Sequence, residues 1–162
     1  MTETHIRRAV ASDAAAMAAM WWKLIELETD LDPEFYATKG KDDCQKRMTE
    51  NFQRAVTLDD FCVVVAEQKG GLVGYAYGSL RETRPIFVHG KTFVVGSLFV
   101  EPEWRRRGMC RRMFRELEEF ARHSGAVLIQ VEDITRGNRP ALDTYSCLGF
   151  RAKSENMLKW LK

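Results

Sequence analysis

The apolar run Thr92 to Val100 stops at Glu101-Pro102-Glu103-Trp104, and by Met109 the pattern has changed from extended to helical. Met109, Met113, Phe114, Leu117, Phe120 and Ala121 then share one helix face, with Gly125 placed to end the helix. A strand that passes through one short turn into a strongly amphipathic helix has to lay that apolar stripe back on its sheet. The unit restricts the chain to layered α/β or α+β folds, with the turn Arg105-Arg106-Arg107-Gly108-Met109-Cys110 exposed at the strand's end.

The remaining segments fit around this unit. A short strand at His5 to Ala9 precedes Ser12, read as an N-cap, and a helix carrying Met17, Met20, Trp21, Leu24 and Leu27 at three- and four-residue spacing. An acidic loop with Asp30, Asp32 and Pro33 leads to a second helical stripe, Cys44, Met48, Phe52 and Ala55. Phe61 to Ala66 and Leu72 to Leu80, joined through Gln68-Lys69-Gly70-Gly71, read as a hairpin. In its second strand Gly74, Ala76 and Gly78 alternate with Val73, Tyr75 and Tyr77, so one face is small and invites close approach. After a loop through Pro85 and His89 and the central unit come a strand at Ala126 to Val131, a helix capped by Asn138 and closed by Gly149, and two short strands at Phe150 to Lys153 and Asn156 to Leu161. The expected order is β-α-α-β-β-β-α-β-α-β-β, in a mixed, mostly antiparallel sheet of six to seven strands flanked by about four helices.

Composition removes several function classes. The 162 residues suit one domain, and 25 basic against 23 acidic residues leave a net charge of only +2, unlike a general nucleic-acid binder. Cys44, Cys62, Cys110 and Cys147 form no CxxC pair, so they read as reduced packing thiols with no metal site. Met1 to Arg8 lacks the apolar core of a signal peptide and no stretch approaches the roughly 18 apolar residues of a membrane span, which gives a cytoplasmic expectation without membrane association.

The arginine turn has the chemistry of an anion site. A helix start offers up to four free N–H groups and the positive end of its dipole, and Gly108, lacking Cβ, lets a phosphate approach the backbone. Arg105, Arg106, Arg107, Arg111 and Arg112 add charge, although a solvated basic helix start has the same composition. No G-x-x-x-x-G-K-[ST] and no G-x-G-x-x-G follows any strand, which sets aside P-loop and Rossmann readings.

A strand ending Leu98-Phe99-Val100, then Glu101-Pro102 and R-x-x-G-x-C followed by Arg111, resembles motif A of the GNAT superfamily of acetyl-CoA-dependent N-acetyltransferases, whose form is Q/R-x-x-G-x-G/A. Cys110 stands where that family usually has Gly or Ala. Downstream, Asn138, Ala141, Tyr145, Gly149 and Phe150 resemble its motif B, N-x-x-A-x-x-x-Y-x-x-x-G-F. The resemblance implies one GNAT-like domain over residues 1–162. It also implies acetyl transfer from acetyl-CoA to a primary amine of a small molecule or protein, by direct attack through a tetrahedral intermediate.

By the same resemblance, the main chain of Leu98, Phe99 and Val100, at a bulged and splayed strand, would hold pantetheine and polarise the thioester carbonyl. The turn Arg105, Arg106, Arg107, Gly108, Met109, Cys110 and Arg111 would hold the pyrophosphate, and Asn138 would hydrogen-bond the pantetheine arm. Tyr145 would be the general acid for the departing thiolate, and Cys147, two residues along the helix, would lie on another face.

The family's frequent strand glutamate has no counterpart, because Val94, Gly96 and Ser97 occupy that region. Glu132, Asp133 or a water held by Ser97 are the candidates to activate the amine, with a solvated role equally open to the two carboxylates. The acidic set Glu26, Glu28, Asp30, Asp32 and Glu34 suits a cationic acceptor if one or two turn inward. Among Trp21, Trp22 and Phe35, Trp21 fits the core stripe and Trp22 lies off it. A non-catalytic acyl-CoA-binding regulatory module is the alternative that the missing carboxylate suggests, and a basic nucleic-acid module lacks interleaved aromatics. Strand edges and Met157 to Leu161 could support a homodimer.

Overall fold

A computed structural model describes residues 4–88 and 90–161, so His89 of the expected loop lies outside the described residues. Strands β1 (His5–Arg8), β2 (Phe61–Gln68), β3 (Gly71–Glu82), β4 (Lys91–Val100) and β5 (Ala126–Val131) form one sheet in the order β1-β2-β3-β4-β5. The first four pair antiparallel, and β5 pairs parallel to β4. Helices α1 (Ala14–Leu31) and α2 (Lys41–Ala55) cross between β1 and β2, α3 (Met109–His123) connects β4 to β5, and α4 (Arg139–Cys147) follows β5.

The sheet separates two cores. Met113, Phe114, Leu117 and Ala121 of α3 pack with Val64, Ala76, Phe93 and Val95, whereas Met17, Ala18 and Phe52 of α1 and α2 pack with Val63, Val65, Tyr75 and Phe99. The alternation of β3 follows from this division, since Tyr75 faces the α1 and α2 side and Ala76 the α3 side. What approaches the small face is the protein itself. A Cβ at Gly78 would lie 2.5 Å from the Val94 carbonyl oxygen and 2.6 Å from the Phe93 ring, and one at Gly74 would lie 2.9 Å from the Phe99 carbonyl oxygen.

One irregularity positions the site. Tyr77 pairs with Ser97 but Gly78 pairs with Val95, so Gly96 is an extra residue in β4. Before it, Phe93 and Val95 face α3; after it, Leu98 and Val100 do, and Phe99 joins the opposite core. The bulge therefore reverses which parity of β4 points to which face. It also ends the pairing with β5, whose last partner is Val95 opposite Val131, so Ser97 to Val100 stay bonded to β3 alone.

Three expectations change. Among the described residues the sheet has five strands, not six to seven. Residues 151–161 carry no regular structure and are exposed. That tail is tied to the end of β5 by side chains, Lys153 Nζ donating to Gln130 Oε1 at 3.4 Å and Asn156 Nδ2 to Asp133 Oδ1 at 3.0 Å. Met157, Leu158, Trp160 and Leu161 would fall on both faces of a strand there, so the pattern does not separate a core face from a solvent face.

At the start of α1, Ser12 sits within a 3-10 turn, Ala11–Asp13, and the helix begins after Asp13. Asp13 accepts from Arg7 Nη1 at 2.7 Å and Nη2 at 3.0 Å, and from the Val10 N–H at 2.9 Å. These bonds, Arg7 foremost, hold its carboxyl below the usual range against the opposing cost of burial. A depressed folded pKa contributes stability above the unfolded value of about 3.9 and loses it as pH falls through the folded value. Asp13→Asn should thus cost about 2 kcal/mol at neutral pH and flatten the acid limb of the stability curve. Urea titrations at neutral and acid pH check this, and equal acid limbs in both proteins would contradict it.

Third, the tryptophans exchange roles: Trp22 is buried and donates from Nε1 to Glu26 Oε1 at 2.6 Å, whereas Trp21 is half-buried at the edge of the second core.

Candidate active site

Residues 105–112 build the turn that the sequence singles out. Glu101 follows β4, a 3-10 turn spans Pro102–Trp104, and Arg106 (φ +59°) and Gly108 (φ +77°) take left-handed conformations that aim the chain into α3. The first bond of the helix runs from Arg112 N–H to the Gly108 carbonyl at 3.0 Å, and no side chain caps the helix. The N–H groups of the first turn thus point outward without helical acceptors. Nothing lies within 4 Å of a Cβ built on Gly108, so the space above the helix start is open.

The arginines divide their work. Arg105 Nε donates to the Val100 carbonyl at 2.9 Å, and its guanidinium lies 5.6 Å from the Phe99 ring centre, bracing the strand end against the turn. Arg107 stacks 4.8 Å from the Trp104 ring centre, and Arg112 Nη2 donates to the Thr4 carbonyl at 2.8 Å. Arg106 and Arg111 are exposed beside the turn. Met109 is buried in the α3 core, and Cys110 is half-buried, its thiol pushed up to about 11 by burial.

Helix α4, its cap and the residue Phe150 beyond it pack near this turn. Asn138 is buried and its Oδ1 accepts the Ala141 N–H at 3.2 Å, which caps α4 and leaves its amide N–H groups for another acceptor. Tyr145, on α4, is half-buried and meets Phe150 edge-on with ring centres 5.4 Å apart, and Phe150 in turn meets Phe114 at 5.4 Å. Burial, with a smaller contribution from Cys110, holds the Tyr145 phenol protonated above its ordinary range. Cys147, the last residue of α4, is exposed.

On the other side of the bulge lies a cleft of about 260 Å³ lined by Trp21, Leu24 and Glu28 of α1, Tyr36 of the following loop, Arg81 of β3, Val94 to Ser97 of β4, and Glu132 and Asp133. The Ser97 hydroxyl lies 2.9 Å from the Tyr75 hydroxyl. Tyr75 is fully buried, which raises its phenol above the ordinary range against the Ser97 hydrogen bond. Of the acidic set around the end of α1, Glu28 is the one that lines the cleft; Glu26, Asp30 and Glu34 are exposed, and Asp32 Oδ1 accepts the Phe35 N–H at 3.2 Å. Phe35 is exposed, packed edge-on against Tyr36. Trp21, not Trp22, reaches the cleft, while Trp22 is buried.

Sequence reading missed Tyr36, Arg81 and Thr135. The Thr135 hydroxyl donates to the Tyr36 hydroxyl at 2.8 Å, and Arg81 Nη1 donates to Glu132 Oε2 at 3.0 Å. Their juxtaposition depends on strand register and on a loop path, neither of which local periodicity encodes. Among the described residues no group of three His, Cys, Asp or Glu side chains could hold a metal ion, and no helix is long and apolar enough to cross a membrane.

The comparisons with known proteins agree with this geometry. Residues 21–150 match the model of the acetyltransferase (GNAT) family. Over 100 residues the chain is 38% identical to the N-alpha-acetyltransferase RimI of Mycobacterium tuberculosis (strain ATCC 25618 / H37Rv), a stretch that is 62% of this chain and 58% of that protein. The chain thus aligns with little more than half the length of this relative. Among solved structures, a variant of the BH1408 protein from Bacillus halodurans superposes with a TM-score of 0.84 at 21% identity, covering 98% of this chain and 99% of that one. A predicted acetyltransferase from Clostridium acetobutylicum, solved with acetyl-CoA, gives 0.75 at 18% identity, covering 99% and 95%. The aminoglycoside acetyltransferase AAC(6')-Iy, bound to a CoA bisubstrate analogue, gives 0.71 at 17% identity, covering 99% of each chain. These three likenesses concern the fold.

Proposed function

The chain belongs to the GNAT family of acetyltransferases, and on that premise we propose that it transfers acetyl from acetyl-CoA to a primary amine by direct attack through a tetrahedral intermediate. The observation that carries this reading is the opening of β4 away from β5 immediately before an uncapped helix start, with a protonated tyrosine on α4 nearby. Bound acetyl-CoA supplies an activated acetyl thioester. The N–H groups opening α3 are placed for its pyrophosphate, Gly108 leaves the approach open, and Arg106, Arg107 and Arg111 add positive charge. Arg105 holds the turn through Val100, Met109 anchors it in the core, and Cys110 is half-buried in the first turn of α3.

The main chain of Leu98, Phe99 and Val100, unpaired on the β5 side, is the donor and acceptor surface for the pantetheine amides and the thioester carbonyl. The Asn138 amide offers a further donor to that arm. Tyr145 keeps its proton at neutral pH and gives it to the departing thiolate.

The acceptor enters by the cleft between α1 and β5. RimI is named for acetylating α-amines and AAC(6')-Iy for aminoglycosides, so both a protein amine and a small-molecule amine fall within the reading. Acetyl-CoA should raise the melting temperature, by about 2.7 kcal/mol of stabilisation at a hundredfold excess over Kd. Amines should then trigger free-thiol release. A melting shift without thiol release across an amine panel would favour the non-catalytic acyl-CoA-binding module, and no shift at all would overturn both.

A further inference from the structure

Three carboxylates line the cleft, and two of them are already engaged. Glu132 accepts from Arg81 Nη1 at 3.0 Å on Oε2 and from Gln130 Nε2 at 2.8 Å on Oε1. Asp133 is exposed on a left-handed backbone (φ +56°), with Oδ1 accepting from Asn156 Nδ2 at 3.0 Å. Glu28 differs from both. It is half-buried on α1, it shares the cleft wall with Trp21, Leu24, Gly96 and Ser97, and among the described residues the Thr135 hydroxyl is the neighbour whose hydrogen bonding favours its charged form. That hydroxyl also meets Tyr36 at 2.8 Å, which joins the loop after α1 to the loop before α4.

We infer that Glu28 is the proton acceptor for the incoming amine, with Tyr36 and Thr135 as positioning residues, an assignment that rests on the acetyl transfer proposed above. The need is physical. An alkylamine with a pKa of about 10.4 arrives as its ammonium at neutral pH and has no lone pair to attack with. β4 offers no carboxylate at the bulge, and a lone serine hydroxyl is a poor base.

The groups facing Glu28 favour a cation. Tyr36 comes from the loop after α1, Tyr75 and Arg81 from β3, and Glu132 and Asp133 from the end of β5. The one cation among them, Arg81, is held by Glu132. Burial, reinforced by Asp133 and opposed by Thr135, raises the Glu28 carboxyl above its usual range, which makes it a stronger base than an exposed glutamate.

The step balances as follows. The Glu28 carboxylate takes one proton from R–NH3+, leaving R–NH2. The nitrogen lone pair forms the C–N bond to the acetyl carbonyl carbon, and the C–S bond breaks as Tyr145 protonates the thiolate. The second proton leaves the nitrogen through solvent to restore the phenol, and Glu28 releases its own proton to solvent. The products are the amide, free CoA thiol and one proton.

Glu28→Gln keeps the size and the contact with Thr135 and removes the base. The test measures thiol release from acetyl-CoA with a simple alkylamine and with an arylamine, which is neutral at pH 7, from acid to alkaline pH. With the alkylamine, kcat should fall about 10²-fold near neutrality and recover as pH approaches the amine's own pKa of about 10.4. With the arylamine it should change little, and the acetyl-CoA melting shift should persist. Equal losses on both amines, or an unchanged pH profile, would assign Glu28 to cleft structure and overturn the inference while leaving the acetyltransferase reading intact. A wild-type protein that releases no thiol with either amine would bring down that reading first.

Discussion

Gly108→Glu is expected to abolish the acetyl-CoA melting shift and, with it, thiol release, while the protein itself stays folded. The geometry separates the two effects. A Cβ at this position meets no atom within 4 Å, so no core contact is disturbed, and an acidic side chain at a helix start interacts favourably with the dipole. The backbone cost is the left-handed φ of +77°, about 1 kcal/mol for an L-residue. Binding suffers differently. The carboxylate projects into the open space that the pyrophosphate would occupy, where it competes for the free N–H groups and repels the anion. Gly108→Ala serves as the control, carrying the backbone cost without the charge, and should retain part of the shift. If Gly108→Glu kept the full shift, the cofactor would have to bind elsewhere.

Tyr145→Phe is expected to lower kcat by about 10²- to 10⁴-fold with acetyl-CoA binding nearly intact. Phenylalanine preserves the edge-on contact with Phe150 and removes only the hydroxyl, so stability and the melting shift become internal controls. Burial keeps the phenol protonated above its ordinary pKa of about 10, so Tyr145 should contribute no alkaline loss of activity at or below that pH. Single-turnover thiol release separates the chemical step from product release. A variant turning over at the wild-type rate would remove Tyr145 from the mechanism and leave proton delivery to solvent.

The parts legible in the sequence were those written in local terms. The α3 stripe and the Asn138 cap each follow from a handful of neighbouring residues, and the structure has both. The errors arose where tertiary partners decide. Ser12 has the chemistry of a cap, yet Asp13 forms the bidentate bond to Arg7, a residue on a different element. Trp21 and Trp22 are adjacent on α1, and helical spacing put Trp21 in the core, whereas it is Trp22 that is buried and Trp21 that lines the cleft. Residues 151–161 have apolar content but no alternation, and composition alone was a poor guide there. Within the proposed site, motif spacing pointed to the donor side. The cleft proposed for the acceptor is built from α1, β3 and the end of β5, far apart in sequence, and singling out Glu28 from its acidic neighbours required knowing which oxygens were already bonded.

The extra residue at Gly96 acts on the strand as a half-period phase shift acts on a wave. Upstream and downstream halves of β4 each keep regular alternation along β3, but only the upstream half is bonded to β5 as well. The half that holds the sheet together and the half left open beside the cleft can therefore vary in sequence under separate constraints, although one continuous backbone carries both.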